Sequence, residues 1–211
     1  TEDMKKEKQL SGFTKIEKKD FDALPSIMGE TDVIKHSLLL PGIQSVREGD
    51  ASFSVRGGKG DQNLLLIDGM HTYSLSHFFG FYPGINPNAI ESANLYKSSI
   101  PVEYGNRLSS VYDIRTKKGN FEKFSFHGGI NTLASNIFIE GPVVKEKVSF
   151  AAGARTTYSD WFIEKIKVDE LKGSNASFDD YQVKLDYRIN EKTNGSFFFY
   201  NSKDDFILHK D

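Results

Sequence analysis

Hydrophobic and polar positions follow two different patterns along this chain, and the pattern changes near Asn120. Before that residue, short apolar runs such as 52–55 and 64–67 are separated by turns rich in glycine, proline and asparagine. After it, apolar and polar residues alternate over long stretches. A period of two is typical of a β-strand whose two faces meet different environments. The chain therefore divides into a small mixed region followed by long strands.

The first region alternates short predicted strands with short predicted helices. Residues 13–17 are a predicted strand, and Asp20 is the predicted N-cap of a single turn that Pro25 interrupts. A longer helix is predicted over 29–40, with acidic residues in its first turn and an end at Pro41-Gly42. Further strands are predicted at 52–55, 64–67, 92–96 and 111–115, with a tight turn at Asp68-Gly69 and a helical start capped by Asn86.

The second region has a regular arrangement of strands and connections. Residues 181–189 alternate strictly, and 148–158 do so nearly as well. The connections 141–147 and 190–193 are short, whereas 159–177 is long and polar. Outer-membrane barrels have short turns on one side and long loops on the other. A soluble antiparallel sheet with one solvated face has the same alternation, so that reading stays open. About five strands are too few to close a barrel, which needs about eight.

Composition excludes several classes of function. Charged residues make up 27% of the 211 residues and nearly cancel at a net charge of -2, so no basic field exists to bind nucleic acid. There is no cysteine, which removes disulfides, zinc-cysteine sites and cysteine nucleophiles. No apolar run reaches the roughly 18 residues of a transmembrane helix.

Candidate chemical motifs give no support for catalysis. The glycine-rich stretch at 55–60 lacks the Gly-Lys-Ser/Thr ending of a phosphate loop and no helix follows it. Asp32, Asp61 and Asp68 lack the spacing of metal ligands. The five histidines form no i,i+4 pair and no triad-like arrangement. We therefore predict no catalytic residue, no metal and no cofactor, and we do not expect an enzyme.

Aromatic residues are concentrated in the segment 71–82. This segment is either a stacking surface for a planar ligand or a small satellite core beneath a loop. If it contacts a ligand, the predicted contact residues are His71, Tyr73, His77, Phe79 and Tyr82.

Several motifs in this order resemble the plug domain of TonB-dependent outer-membrane receptors, particularly those of Bacteroidetes-type bacteria. They are Val55-Arg56-Gly57-Gly58, Gln62-Asn63 through Asp68-Gly69, Asn86-Pro87-Asn88-Ala89-Ile90-Glu91, Leu95-Tyr96-Lys97 and Tyr104-Gly105-Asn106-Arg107-Leu108-Ser109-Ser110-Val111. Asn106 stands where a second glycine is more usual. The resemblance covers about 24–120, and the alternating strands begin where the family's barrel begins.

The resemblance implies an α+β organisation: an N-terminal linker over 1–19, a small mixed α/β plug domain over 20–120, and the first antiparallel strands of an incomplete transmembrane β-barrel over 121–211. It implies location in the outer membrane with the plug reached from the periplasm, and active import of a scarce nutrient such as a siderophore, cobalamin, an oligosaccharide or a peptide. Arg56, Glu103 and Arg107 are the expected plug contacts to inward-facing barrel residues.

The resemblance also implies partners. They are the nutrient ligand, outer-membrane lipid and a TonB complex. No TonB box is recognisable in 1–19, so the TonB complex is expected to bind a segment upstream of this chain. Whether a surface lipoprotein covers the barrel is left open. Two alternatives remain: a ligand-sensing module that transmits a signal, and a soluble carbohydrate-binding domain. The soluble alternative predicts polar residues on both faces of the exposed strands.

Overall fold

The computed structural model of this chain consists of two compact units, Thr1–Thr116 and Lys117–Asp211. The structure describes residues 12–23, 30–46, 52–80, 82–158, 175–190 and 192–207, except the side chains of Phe79 and Asn175. Residues 1–11 of the predicted linker, the interruption at Pro25 and most of the predicted loop 159–177 lie outside these residues. The boundary between the units falls a few residues before Asn120, where the sequence pattern changes.

A five-stranded sheet forms the centre of the first unit. Its strands are β1 (Phe13–Glu17), β4 (Asn63–Ile67), β5 (Met70–Thr72), β8 (Ile90–Tyr96) and β9 (Ser110–Thr116). Their order in the sheet is β1-β8-β9-β4-β5, in which β4 and β9 run parallel and all other neighbours are antiparallel. Two small antiparallel pairs lie beside it: β2 (Ile43–Ser45) with β3 (Phe53–Val55), and β6 (Ser76–His77) with β7 (Tyr82–Pro83).

The sheet begins inside the range that the sequence predicts as a linker. β1 pairs along its whole length with β8, from Phe13 opposite Tyr96 to Glu17 opposite Ser92. Helix α1 (Lys18–Asp22) follows directly. The prediction that Asp20 is the N-cap of this helix is wrong, because Glu17 holds that position. The Glu17 backbone N–H donates to the Asp20 carboxylate at 2.9 Å.

The second helix, α2 (Val33–Ser37), is shorter than the predicted span of 29–40. Asp32 caps it, accepting the backbone N–H groups of Ile34 and Lys35 at 2.8 and 3.2 Å. Short polar side chains at an N-cap satisfy backbone donors that the first turn leaves free, so the helix begins after Asp32. Among the described residues, no helix is long and apolar enough to cross a membrane.

The predicted turns of the first unit are confirmed. Asp68 and Gly69 both have positive φ, +49° and +83°, and they join β4 to β5 as a tight hairpin. The Asn86 side chain accepts the backbone N–H of Asn88 at 3.0 Å and caps a single 3-10 turn over Pro87–Ala89.

The second unit is one antiparallel sheet in which five strands follow one another in chain order. They are β10 (Ser125–Ile130), β11 (Ala134–Val144), β12 (Val148–Thr157), β13 (Asn175–Asn190) and β14 (Thr193–Ile207). The predicted turn at 141–147 is shorter in the structure, because β11 continues to Val144 with an irregular register near Pro142. Within the described part of this unit the predicted count of about five strands is confirmed, and the sheet is open.

The two faces of the second sheet have an unusual polarity. On β12 and β13 the buried side chains include Arg155, Asp180, Lys184 and Asp186. The exposed face instead carries large apolar side chains, which are Phe126, Ile130, Ile137, Ile139, Tyr181, Tyr187, Ile189, Phe197 and Phe199. A soluble sheet buries its apolar face and exposes its polar face. The arrangement here is the reverse.

Candidate functional site

Three connections of the first unit meet at one end of its sheet. Asn63, at the start of β4, lies opposite Ser110, at the start of β9. Tyr96, at the end of β8, lies opposite Val111. The loops 56–62 and 97–109 therefore lie at the same end, which we call the loop end. Tyr73 lies near it, because the preceding Thr72 pairs with Leu65.

Glycines allow the two loops at this end to approach closely. Arg56 and Gly57 have φ of +51° and +82°, so the chain reverses sharply after β3. Gly58 lies against Ser109, and a Cβ at Gly58 would come within 2.2 Å of the Ser109 Oγ. The Ser109 hydroxyl donates to the Val55 carbonyl at 3.0 Å. The glycine-rich motif thus joins two loops, and we assign no phosphate-binding role to it.

A buried asparagine fixes the starts of three strands. The Asn63 amide donates to the Phe53 carbonyl at 2.6 Å, and its oxygen accepts the Ser110 hydroxyl at 2.7 Å. Sequence reasoning missed this role of Asn63 and Ser110. The signal available was a polar residue at the start of an otherwise apolar strand, because a buried amide needs partners for both of its ends.

At the loop end, the structure brings together one predicted ligand contact region and one predicted barrel contact. His71 and Tyr73 pack edge to face, with ring centroids 4.7 Å apart. The Arg107 Nη2 lies 3.5 Å from the His71 Nε2. We call His71, Tyr73 and Arg107 the surface cluster. The Arg107 Nη1 donates to the Asn106 carbonyl at 2.9 Å, and no described carboxylate pairs with the guanidinium.

The other predicted ligand contacts do not join this surface. His77 and Tyr82 face each other on β6 and β7, and both are almost fully buried, at 2% and 1% exposure. The side chain of Phe79 lies outside the described residues. The prediction of one contact surface running through 71–82 is therefore too broad: His77 and Tyr82 pack in the interior, while His71 and Tyr73 remain candidates.

The remaining predicted contacts, Arg56 and Glu103, are exposed side chains on the two loops of the loop end. The structure brings neither into the surface cluster. Their predicted role as contacts to the barrel stays a prediction. No group of three metal-ligating side chains occurs among the described residues.

Aromatic packing supports the loop that carries Arg107. Tyr104 packs on Tyr96 with ring centroids 5.4 Å apart, and Tyr96 packs on Phe13 at 4.9 Å. The first strand of the sheet therefore supports the 97–109 loop. Such aromatic pairs contribute about 0.5–1.5 kcal/mol each beyond the area that they bury.

A buried carboxylate lies beneath this stack. The Tyr104 hydroxyl donates to Asp113 at 3.0 Å, and the Arg115 guanidinium pairs with the same oxygen at 2.6 Å. Burial raises the pKa of Asp113, although Arg115 and the Tyr104 hydrogen bond act in the opposite direction. Sequence reasoning missed this network, because the alternation in β9 shows a strand but does not show which partners Asp113 and Arg115 meet.

Comparisons with known proteins agree with this geometry. The family model of the TonB-dependent receptor plug domain matches residues 29–111. The siderophore receptor PirA from Acinetobacter baumannii superposes with a TM-score of 0.68 and 18% identity, over 96% of this chain and 33% of that chain. The siderophore receptor PirA from Pseudomonas aeruginosa superposes with a TM-score of 0.64 and 18% identity, over 93% of this chain and 36% of that chain.

The copper transporter OprC superposes with a TM-score of 0.62 and 12% identity, over 95% of this chain and 31% of that chain. This chain spans about a third of the length of these solved proteins. At such identities the likeness concerns the fold. A comparison with curated protein sequences gave no match.

Proposed function

We propose that this chain contains the plug domain of a TonB-dependent outer-membrane receptor, and that the receptor actively imports a scarce nutrient across the outer membrane. The first unit is the gating plug, and the second unit supplies the first strands of the barrel. The Bacteroidetes-type subgroup stays a prediction.

The observation that carries this proposal is the polarity of the second sheet. A sheet with buried charges and exposed phenylalanine, isoleucine and tyrosine is unfavourable in water, because a large apolar surface would remain hydrated. In a bilayer the same sheet is favourable, since lipid covers the apolar face and the charged face lines an aqueous interior. This polarity argues against the alternative of a soluble carbohydrate-binding domain.

We further propose that the ligand meets the surface cluster at the loop end. Arg107 supplies a guanidinium that pairs with no described carboxylate, and His71 and Tyr73 supply an exposed aromatic edge. A guanidinium recognises carboxylates and other oxyanions through paired hydrogen bonds, and aromatic rings pack on planar groups. Among a siderophore, cobalamin, an oligosaccharide and a peptide, this chemistry favours a ligand with an anionic, planar part. Two of the similar structures are named as siderophore receptors and one as a copper transporter.

The proposed partners follow from the same function. A TonB complex supplies the energy through a segment upstream of the plug, and outer-membrane lipid surrounds the barrel. Arg56 and Glu103 are proposed contacts between the plug and the barrel wall. Polar, hydrated contacts suit a plug that must move, because water can replace each broken hydrogen bond at little cost.

Cell fractionation tests the location. An antibody against this chain is used to blot membrane fractions of the source cells, with and without boiling. We expect an outer-membrane band that is several times larger than this chain and changes mobility on heating, as a closed barrel requires. A soluble band close to the mass of this chain would refute the proposal.

Uptake experiments test the transport step. Medium conditioned by wild-type cells is compared by mass spectrometry with medium from cells that lack the receptor gene or a functional TonB. We expect the same compound to be depleted only by the wild type. Depletion that persists without TonB would exclude energy-coupled import. Once the compound is identified, Arg107→Ala should weaken its binding, whereas Lys59→Ala, on the neighbouring loop, serves as the control.

A further inference from the structure

We propose that a cationic rim at the short-turn end of the second sheet binds phospholipid headgroups that carry a net negative charge, in preference to zwitterionic headgroups. This inference rests on the proposed function, because it places this sheet in a bilayer. It concerns charged turns, and it is independent of the surface cluster on the first unit.

Backbone hydrogen bonds hold three segments of the second unit together at this end of the sheet. The Glu146 N–H donates to the Phe121 carbonyl at 3.1 Å, and the Arg188 N–H donates to the Lys147 carbonyl at 2.8 Å. Segment 118–123, the 145–147 turn and residues 188–190 with 192 therefore lie side by side. We call these three segments the cationic rim.

Basic side chains outnumber acidic side chains on the rim. Among its described residues, six are basic and two are acidic. The basic residues are Lys118, Lys123, Lys145, Lys147, Arg188 and Lys192, and the acidic residues are Glu122 and Glu146. At the opposite end of the same strands the balance reverses, with Arg155 and Lys203 against Asp179, Asp180, Asp204 and Asp205. Positive charge is therefore concentrated at one end of the sheet, where it raises the local concentration of anions.

The lysines of the rim keep their charge available to a ligand. All five are exposed, and none forms an ion pair with a described residue. Arg188 is held differently, because its guanidinium stacks on the Phe121 ring at 3.9 Å from the centroid. That contact fixes the 188–190 segment against 118–123 and leaves ligand binding to the lysines.

The rim lies directly beyond the apolar face of the sheet. Val144 is an exposed apolar residue that immediately precedes Lys145. Ile189 has the same character and comes shortly before Lys192, and the exposed Tyr187 is on the same face as Ile189. A tyrosine at such a boundary is typical of the interface between hydrocarbon and headgroups. The lysine ammonium groups that follow therefore lie at the level of the lipid phosphates.

A negatively charged phospholipid fits this rim better than a soluble polyanion does. The phosphates of a bilayer surface are held at one depth, and the lysines on the three adjacent segments share that depth. An anionic headgroup keeps a net charge that the ammonium groups neutralise, whereas a zwitterionic headgroup brings its own cation close to them. Each lysine near an anionic membrane surface strengthens binding about fivefold, so several lysines together distinguish the two kinds of headgroup.

The test uses the full-length receptor, purified from its own outer membrane and exchanged into nanodiscs with equal amounts of phosphatidylglycerol and phosphatidylethanolamine. The lipids that stay bound when the nanodisc is removed are counted by native mass spectrometry. We expect retained phosphatidylglycerol to outnumber phosphatidylethanolamine about fivefold, and high salt to reduce this ratio. The triple variant Lys145→Gln, Lys147→Gln and Lys192→Gln should lower the ratio to about one, because it removes most of the exposed charge.

Lys203→Gln is the matched control, since Lys203 is an exposed lysine at the opposite end of the sheet, and it should leave the ratio unchanged. Glu146→Gln tests the sign of the effect. It removes a negative charge from the rim and keeps every lysine, so the ratio should rise. If the triple variant does not fold, Lys192→Gln alone replaces it and should lower the ratio in part.

Equal retention of the two lipids by a wild-type receptor that shows the heat-dependent band would overturn this inference and leave the import proposal intact. A preference that survives in both lysine variants would also overturn it. So would binding of isolated peptidoglycan that is lost in the triple variant while the two lipids are retained equally. Absence of the receptor from the outer membrane would instead refute the proposed function itself.

Discussion

The two sheets of this chain bury opposite kinds of side chain. In the first unit, Ile67, Leu95 and Ile114 are fully buried on the central strands, as in a soluble domain. In the second unit, Arg155, Asp180 and Asp186 are buried, and the apolar residues are exposed. Both sheets obey the same alternation of side chains along a strand. The difference shows that alternation predicts a two-faced sheet, while the surrounding solvent decides which face is buried.

Breaking the buried charge pair of the second sheet should have the largest effect. The Arg155 guanidinium binds Asp180 through its Nε at 2.9 Å and through its Nη2, and both side chains are fully buried. Arg155→Ala leaves a buried carboxylate without its cation, which typically costs about 3–5 kcal/mol. Urea unfolding of the full-length receptor, monitored through the heat-dependent band shift, measures this loss of stability.

The exposed pair of Lys203 and Asp205 on β14 provides the control for that experiment. Surface ion pairs contribute about 0–1 kcal/mol, so Lys203→Ala should hardly change the unfolding midpoint. Equal losses for Arg155→Ala and Lys203→Ala would contradict the view that the charged face is structurally important.

A charge on the apolar face should have the next largest effect. Phe199 pairs with Val183 near the middle of the long β13–β14 hairpin. If lipid covers this face, Phe199→Lys should cost about 2–4 kcal/mol, whereas an exposed position in water tolerates such changes within about 0.5 kcal/mol. Folding into lipid vesicles measures this cost, with Phe199→Leu as the control. A neutral effect of lysine would argue for a soluble sheet.

Removing one buried hydroxyl from the first unit should have a smaller effect. The Tyr112 hydroxyl donates to the Val33 carbonyl at 2.9 Å and accepts from Ser37 at 2.7 Å, so it ties β9 to α2. Tyr112→Phe should destabilise the plug by about 1 kcal/mol, the usual net value of such a hydrogen bond. Pulse proteolysis of the full receptor, followed through the peptides released from the plug, measures this loss of stability. Tyr73 is exposed, so Tyr73→Phe should have no effect.

The smallest effect we expect is a pH dependence of plug stability. Burial raises the pKa of Asp113 above its value in the unfolded chain, which is about 3.9. Between the unfolded pKa and the folded pKa of Asp113, the native state therefore binds more protons than the unfolded state does. The stability that Asp113 contributes is fully present below the unfolded pKa and is lost as pH rises through the folded pKa.

Pulse proteolysis at several pH values checks this dependence. Asp113→Asn should flatten the loss of stability with rising pH, because the amide does not titrate. Asp61→Asn, at an exposed carboxyl in the loop before β4, is the comparison. A slope that is identical in the wild type and Asp113→Asn would exclude Asp113 as the group responsible.

Much of the fold could be predicted from the sequence because local signals were strong. The Asp68-Gly69 turn, the Asn86 cap and β1 each depend on a few adjacent residues, and all are confirmed. The α2 boundary was wrong because Asp32 and the acidic residues before it look equally suitable for a first turn. The cap was decided by which side chain reaches the free N–H groups of Ile34 and Lys35.

The candidate site was only partly predictable. The aromatic density of 71–82 indicated His71 and Tyr73, but it also indicated His77 and Tyr82, which are buried. Side chains a few residues apart can lie on opposite sides of a short strand, and nothing in the local sequence shows which side faces water. Arg107 is 36 residues from His71 in sequence, so their proximity depends on how β5 and the 97–109 loop meet at the sheet.

The sequence by itself determined the division into two regions, the strands of each and the resemblance to a receptor plug, because these depend on periodicity and ordered motifs. The tertiary structure alone decided that Gly58 meets Ser109, that Asn63 joins three strands, and that Arg107 joins His71. It also decided that the charged face of the second sheet is the buried one. These features depend on contacts between residues far apart in the chain, and a periodic pattern carries no information about which partner each face will meet.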